Sequence, residues 1–165
     1  MTLPIRAVKR EIRVLGLDTC NSEEAIGAVV RGGYFLDGVI RFRFSYDHID
    51  RELAKGILAT KYYPELRAIM LHDPCRRLKP RVLEKVAQLP VMAVSRARRP
   101  GSGYTAFHSG LGTLFHQSRL PKSAVDKILS LTWTFGGLPE PARIAHILSK
   151  STLNVHHGRS FGPKS

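Results

Sequence analysis

Three strand-length segments near the start of the chain are rich in apolar residues, and the third alternates between hydrophobic and polar positions. Residues 12–18, 25–31 and 39–45 predict strands, and the third places Ile40, Phe42 and Phe44 on one face with arginines on the other. The pair Asp37-Gly38 between apolar runs predicts a hairpin turn. These segments therefore predict an antiparallel three-strand meander that is buried mainly on one face.

The pattern then changes to helices that alternate with continuously apolar strands. Helical spacing is predicted from 50 to 63, 80 to 88, 121 to 131 and 138 to 150, apolar strands at 66–71 and 89–94, a strand at 113–117 and a loop at 99–112. Successive strands joined by helices imply parallel crossovers. The predicted fold class is α/β: a mixed sheet, an antiparallel three-strand meander plus parallel strands, flanked by helices. Ribonuclease H-like proteins have this order of elements.

Length and composition limit the class of protein to which the chain can belong. Residues 1–150 are predicted to form a single domain, and residues 151–165 a basic tail that is flexible unless a partner holds it. No apolar run approaches the roughly 18 residues of a membrane span, and the amino terminus lacks an apolar signal core. Cys20 and Cys75 suggest no disulfide framework. We therefore expect a cytoplasmic protein without a membrane partner.

The charge points to a polyanionic partner. Lysine and arginine total 26 against 13 acidic residues, which gives a net charge of +13. A surface of this kind attracts nucleic acid, although a generally basic protein without such a partner is the alternative. The candidate phosphate-binding residues are Arg76, Arg77, Arg96, Arg98, Arg99 and Arg143.

Acidic residues follow several predicted strands. Asp18 ends the first strand, Asp47 and Asp50 follow the third, and the pair His72-Asp73 ends the segment 66–71. Parallel neighbours would bring such carboxylates to one sheet edge, where they repel unless a cation joins them, and Mg²⁺ prefers oxygen ligands. The alternatives are a helix N-cap for Asp50, turn roles for the other three acids and a surface position for His72.

His146 lies on the last predicted helix, three positions after Arg143. It is a candidate general acid or base, or a ligand that reaches across the sheet. The alternative is a partly exposed helical histidine.

Several segments together resemble an archaeal family of which some members are identified as endonuclease dU. They are IRVLGLDT, GAVVRGGYFLDGVIRFRFSYDHID, LRAIMLHD, LPVMAVSR and GGLPEPARIAHILSK, in that order from about residue 12 to residue 150. The family is similar to endonuclease V, which has a ribonuclease H-like fold and nicks nucleic acid near deaminated bases with Mg²⁺. The resemblance implies a site formed by Asp18, Asp50 (or Asp47), His72 or Asp73, Arg96 and His146.

The chain departs from the family pattern at two of these positions and at Thr19, beside Asp18. Thr19 stands where a second acid is expected, Asp50 is one carbon shorter than the glutamate of endonuclease V, and His72 occupies a ligand-like position. Two hypotheses follow. The first is a Mg²⁺-dependent endonuclease, with Mn²⁺ as a substitute ion, that nicks DNA at or near deoxyuridine or deoxyinosine and acts in repair. The second is a non-catalytic nucleic-acid-binding protein on an altered nuclease scaffold. In the first, Asp18, Asp50, Asp73 and His146 would be catalytic, and a flipped base would need a pocket near the meander edge.

Overall fold

The computed structural model describes residues 7–21, 23–45, 47–97 and 103–157, with the side chains of 153–157 excepted. The strands within these residues are β1 (Arg13–Asp18), β2 (Glu24–Arg31), β3 (Phe35–Arg43), β4 (Leu66–His72), β5 (Val91–Ser95), β6 (Thr105–Ser109) and β7 (Gly112–Ser118). The helices are α1 (Ile49–Leu58), α2 (Pro80–Ala87), α3 (Lys122–Thr132) and α4 (Glu140–His157), and a 3₁₀ turn spans Tyr63–Glu65.

The strands form one mixed sheet in the order β3-β2-β1-β4-β5-β7-β6. The first three strands pair antiparallel, as the predicted three-strand meander requires. The pairs β1–β4 and β4–β5 are parallel, and β7 returns antiparallel to β5 before it pairs with β6. The predicted α/β class, with a meander followed by parallel strands, is confirmed. The order also places β1 and β4 side by side in the middle of the sheet.

Helices cover both faces of the sheet, so β1 and β2 are buried on both faces and not, as predicted for the meander, mainly on one. Leu15 and Leu17 belong to the core beneath α1 and α2, whereas Val14 belongs to the core beneath α3 and α4. Because side chains alternate along a strand, every second residue of β1 faces α4. Asp18, at the end of the strand, has the same orientation as Val14, so α4 is the helix that can reach the Asp18 side chain.

The first turn of α4 packs directly on β1 at Gly16. A Cβ atom added at Gly16 would lie 1.8 Å from the carbonyl oxygen of Pro141 and 2.8 Å from the nitrogen of Ala142. From Pro141, five helical residues rise about 7.5 Å. Two residues of strand from Gly16 rise about 6.6 Å. The close contact therefore brings His146 over Asp18.

The hairpin between β2 and β3 differs from the prediction. Its turn lies at residues 32–34, where Gly32 has a φ of +61°, while Asp37 and Gly38 lie inside β3. The register shifts there: Val29 pairs with Gly38 and Val30 with Leu36, so that Asp37 is the extra residue of a bulge. The Asp37 carboxylate forms ion pairs with Arg13 and Arg31. These ion pairs explain why the Asp37-Gly38 sequence lies within a strand and does not form the hairpin turn.

Three other element boundaries also differ. Residues 105–109 form β6, whereas a loop was predicted for 99–112, because this edge strand is mostly exposed and lacks an apolar pattern. Helix α1 begins at Ile49 with His48 at its N-cap position, so Asp50 is not the N-cap. Helix α4 continues to His157, beyond the end predicted at residue 150; the rest of the predicted tail, 158–165, lies outside the described residues. Among the described helices, none has the length and apolarity of a membrane span.

The contact at Gly16 yields a stability prediction. We expect Gly16→Ala to lower the free energy of unfolding by about 1–3 kcal/mol, because the added methyl group meets helix backbone that must shift. Chemical denaturation measures this change. Gly110→Ala is the matched control, since a Cβ there has no atom within 4 Å, and its effect should stay within about 0.5 kcal/mol. Equal stability of the two variants would refute close packing of α4 on β1.

Candidate metal centre

The Asp18 carboxylate is fully buried at the end of β1 and both of its oxygens have partners. Oδ1 accepts a hydrogen bond of 2.9 Å from the backbone N–H of Cys20. Oδ2 lies 2.7 Å from Nδ1 of His72 and 2.9 Å from Nδ1 of His146. Asp18 therefore closes an Asx-type turn with one oxygen and contacts two imidazoles with the other.

Strand pairing and helix packing deliver the two histidines to Asp18. In the parallel register of β1 and β4, Asp18 stands directly beside His72, so both side chains emerge on the same face of the sheet. That face is covered by α4, which carries His146. The two imidazole rings meet edge to face with centroids 4.8 Å apart. Three elements that are distant in sequence thus converge on one carboxylate.

Cys20 completes this group. Its Sγ lies 3.5 Å from Nδ1 of His146. One ligand atom from each of Asp18, Cys20, His72 and His146 lies within 4.8 Å of the others, and among the described residues these four form the group that could hold a metal ion. Cys20 is absent from the sequence-based candidates, although its position two residues after Asp18 is the partner position of an Asx turn.

Burial and mutual contact set the protonation of the group. Burial alone would raise the pKa of Asp18, but the hydrogen bond from His72, the Cys20 N–H and the charges of both histidines lower this pKa below its usual value of 3.8. Burial and the adjacent Asp18 carboxylate raise the pKa of the Cys20 thiol to about 12. Without a metal ion, the group therefore contains an ionised carboxylate and a protonated thiol at neutral pH.

The structure does not bring Asp73 or Asp50 into this group. Asp73 follows His72 on the opposite face, where its Oδ1 accepts 2.6 Å from the Thr19 hydroxyl and its Oδ2 accepts 2.7 Å from the N–H of Leu78. The Asp50 Oδ1 accepts 2.6 Å from the N–H of Lys79, at the start of α2. Asp73 thus connects the residues that follow β1 and β4, and Asp50 connects α1 to the start of α2. Asp47 lies exposed in the turn before α1.

The donor set is a poor fit to Mg²⁺, which the resemblance implies. Mg²⁺ takes oxygen ligands in near-octahedral geometry, and Asp18 is the single carboxylate of the group. Imidazole and thiol donors instead suit zinc and other divalent transition ions.

The predicted phosphate-binding arginines occupy different environments. Arg77 donates to the backbone carbonyls of Thr19 and Asn21, so it supports the loop that carries Cys20. Arg76 is exposed in the turn after β4, and Arg96 is exposed just after β5, with Nη1 3.9 Å from where a Cβ of Gly137 would lie. Arg98 and Arg99 lie outside the described residues.

Arg143 holds the start of α4. Its guanidinium donates to both carboxylate oxygens of the buried Glu140 at 3.0 Å and lies over the Phe135 ring. Glu140 also accepts from the Thr134 hydroxyl at 3.5 Å. These contacts position the helix that carries His146, which is a structural role for the predicted phosphate-binding residue.

This role predicts a loss of stability on truncation. Arg143→Ala leaves the buried Glu140 carboxylate without its ionic partner, and we expect the free energy of unfolding to fall by about 1–3 kcal/mol. Lys122→Ala, which breaks the exposed pair with Asp126, is the control and should change stability by less than about 0.5 kcal/mol. Denaturant titration compares the two variants. A stable Arg143→Ala protein with weakened nucleic-acid binding would instead favour the phosphate-binding role.

Comparisons with known proteins relate the chain to archaeal proteins and to the fold of endonuclease V. No family model matches the chain. It is 27% identical over 180 residues to a UPF0215 protein of Methanosarcina barkeri, covering 88% of this chain and 93% of that protein. A protein of unknown function from Archaeoglobus fulgidus superimposes with a TM-score of 0.69 at 20% identity, over 86% of this chain and 98% of that one. Endonuclease V from Bacillus subtilis superimposes with a TM-score of 0.63 at 8% identity, over 95% and 88%. The chain thus has UPF0215 homologues in archaea and shares the ribonuclease H-like fold of endonuclease V, as the resemblance predicts.

Proposed function

We propose that the protein is a metal-dependent endonuclease that hydrolyses phosphodiester bonds of nucleic acid. The observation that carries the proposal is the convergence of Asp18, His72 and His146 at the carboxyl ends of the parallel strands β1 and β4. Open α/β sheets bind ligands at the carboxyl ends of their strands. The likeness of the fold to endonuclease V supports a nuclease scaffold around this edge.

Basic side chains near the group could bind the phosphates. Lys150 lies one helical turn after His146 on α4, is exposed, and its charge acts on the Cys20 thiol. Arg96 stands at the carboxyl end of β5, two strands from β1. A divalent ion held by the group would supply Lewis-acid activation of a phosphate oxygen and of water. Lys150 and Arg96 would neutralise the phosphodiester and fix its orientation.

The narrower proposal is that the substrate is DNA with a deaminated base, deoxyuridine or deoxyinosine, and that the protein acts in repair. It rests on the resemblance described above and on a cavity of about 200 Å³ at the carboxyl ends of β4 and β5, on the face of the sheet opposite to His72. Leu71, Ala93 and Gln117 line it from neighbouring strands, together with Asp73. This volume is below the roughly 300–1,000 Å³ of sites for drug-sized ligands, and suits one flipped base.

The cavity beside the meander is a weaker candidate for this role. It measures about 330 Å³ and is lined by the β2–β3 turn, including Gly32 and Tyr34. That turn lies beside Arg13, at the opposite end of β1 from Asp18. Five residues of strand separate the two ends by roughly 17 Å. A pocket near the meander edge, as expected from the sequence, therefore does not adjoin the metal-binding group.

A nicking assay tests the endonuclease proposal. Matched duplexes contain deoxyuridine, deoxyinosine or no lesion, and each is incubated with Mg²⁺, Mn²⁺ or Zn²⁺. We expect nicking of the lesion strands by the wild type, and a loss of about 10²–10³-fold in Asp18→Asn, which keeps the acceptor for the Cys20 N–H but removes the charge. Asp126→Asn, a change of a half-buried residue on α3, is the control and should retain full activity. The absence of nicking with every ion, or equal nicking by Asp18→Asn, would exclude the proposal.

Direct ligation of a metal ion by Asp50 or Asp73 stays a prediction, which the variants Asp50→Asn and Asp73→Asn test in the same assay.

The second candidate is a nucleic-acid-binding protein without catalysis. It is favoured by Thr19, which donates to Asp73 where the resemblance leads us to expect a second acid. It shares the basic surface with the endonuclease but needs no open coordination position on a metal ion.

Lys150 tests where the nucleic acid binds in either case. We expect Lys150→Ala to weaken binding to a DNA duplex and to reduce the slope of log K against log salt by about 1, because one phosphate contact is lost. Fluorescence anisotropy over a salt series measures both quantities. Lys55→Ala, on α1 at the opposite face of the sheet, is the matched control and should leave the slope unchanged. Equal slopes for the two variants would place the nucleic acid elsewhere.

A further inference from the structure

We propose that Asp18, Cys20, His72 and His146 form a four-ligand site that selects a divalent transition ion, with Zn²⁺ as the preferred ion, over Mg²⁺. The inference deepens the proposed function at the same site and rests on it only for a role of the ion in cleavage, which would require a fifth coordination position for water or phosphate. Binding itself is argued from the donor atoms.

The chemistry of the donors separates the two classes of ion. One carboxylate, two imidazoles and one thiol give two nitrogen ligands and one sulfur ligand for each oxygen ligand. Zinc binds these three ligand types, and its affinity for nitrogen and sulfur exceeds that of hard ions. Magnesium would retain most of its water and gain a single carboxylate oxygen. The group therefore offers Zn²⁺ four ligands and Mg²⁺ one.

The spacing of the donors suits a tetrahedral ion. With metal–ligand distances of about 2.0–2.3 Å, a tetrahedron separates its donors by roughly 3.3–3.8 Å. The donor atoms here are 2.7 Å apart for Asp18 and His72, 3.5 Å apart for Cys20 and His146, and at most 4.8 Å apart within the group. The tetrahedral separations lie inside this range. Small movements of side chains on an intact backbone would therefore admit the ion.

The surroundings also hold the ligands in place. The Cys20 N–H bonds the Asp18 oxygen that does not face the histidines, and orients the carboxylate. The Arg77 guanidinium binds carbonyl oxygens on both sides of Cys20, at Thr19 and Asn21, which fixes the loop that presents the thiol. The carboxylates of Asp50 and Asp73 accept hydrogen bonds elsewhere and do not supply the oxygen ligands that Mg²⁺ would need.

Metal binding is measured on the full chain after removal of metal with a chelator. Titration with Co²⁺ should give the intense visible absorption of a tetrahedral site together with a thiolate-to-cobalt charge-transfer band, and Zn²⁺ should displace the Co²⁺. A large molar excess of Mg²⁺ should displace neither ion. In Cys20→Ser we expect loss of the charge-transfer band and Zn²⁺ affinity reduced by at least the roughly 10–100-fold that even an outer-shell change costs.

Cys75→Ser is the matched control, because Cys75 is an exposed free thiol outside the group. It should keep the band and the affinity. The cobalt spectrum of the wild type is the measurement that needs no variant. An octahedral cobalt spectrum, an unchanged band in Cys20→Ser, or displacement of the bound ion by Mg²⁺ would each overturn the proposal.

The outcomes for metal binding and for cleavage are separable. Zn²⁺ binding through Cys20 without nicking under any condition would remove the endonuclease and keep the transition-metal site. Nicking with Mg²⁺ by a protein that does not bind Zn²⁺ through Cys20 would remove the transition-metal site and keep the endonuclease.

Discussion

The fully buried carboxylate of Asp18 is the constraint on which the arrangement of this site depends. A buried charge is strongly unfavourable unless hydrogen bonds and opposite charges compensate it. Here the compensation comes from three separate parts of the chain: the N–H of Cys20, the imidazole of His72 and the imidazole of His146. A loop, a parallel strand and a helix are thereby held at one point. The same contacts place four potential metal ligands together, so the stability and the chemistry of the site have a common origin.

The helix that supplies His146 is positioned from its other end. The missing side chain at Gly16 allows the first turn of α4 to touch β1, and the pair of Glu140 and Arg143 holds that turn against Thr134. The segment PEPARIAH thus combines two roles. Its first half determines where the helix begins on the sheet, and the histidine that follows reaches the site because the helical rise matches the remaining length of β1.

Local patterns predict most of the sheet and part of the site. The alternating and continuous apolar segments locate the meander and the parallel strands, and Asp18, His72 and His146 are all candidates by position. Side chains alternate along β4, so Met70 and His72 lie on one face of the sheet and Asp73 on the other. Which of these faces carries Asp18 depends on the register between β1 and β4, and only strand pairing defines that register. The one signal for Cys20 in the sequence is its position two residues after Asp18, the partner position of an Asx turn. The exposed strand β6 and the bulge at Asp37 depend on tertiary contacts and escape a local pattern.

The departures from the family pattern at the sheet edge are consistent with one another. Thr19 and Asp73 face each other at 2.6 Å on one side of the sheet, and a second carboxylate at position 19 would repel Asp73 there. With threonine as a donor, Asp73 is satisfied by the hydroxyl and the N–H of Leu78, and it is engaged within the loop. On the other side, His72 occupies the ligand-like position and Cys20 adds sulfur. The loss of an oxygen ligand on one face and the gain of nitrogen and sulfur ligands on the other change the edge in the same direction, towards the donors that the proposed transition ion prefers.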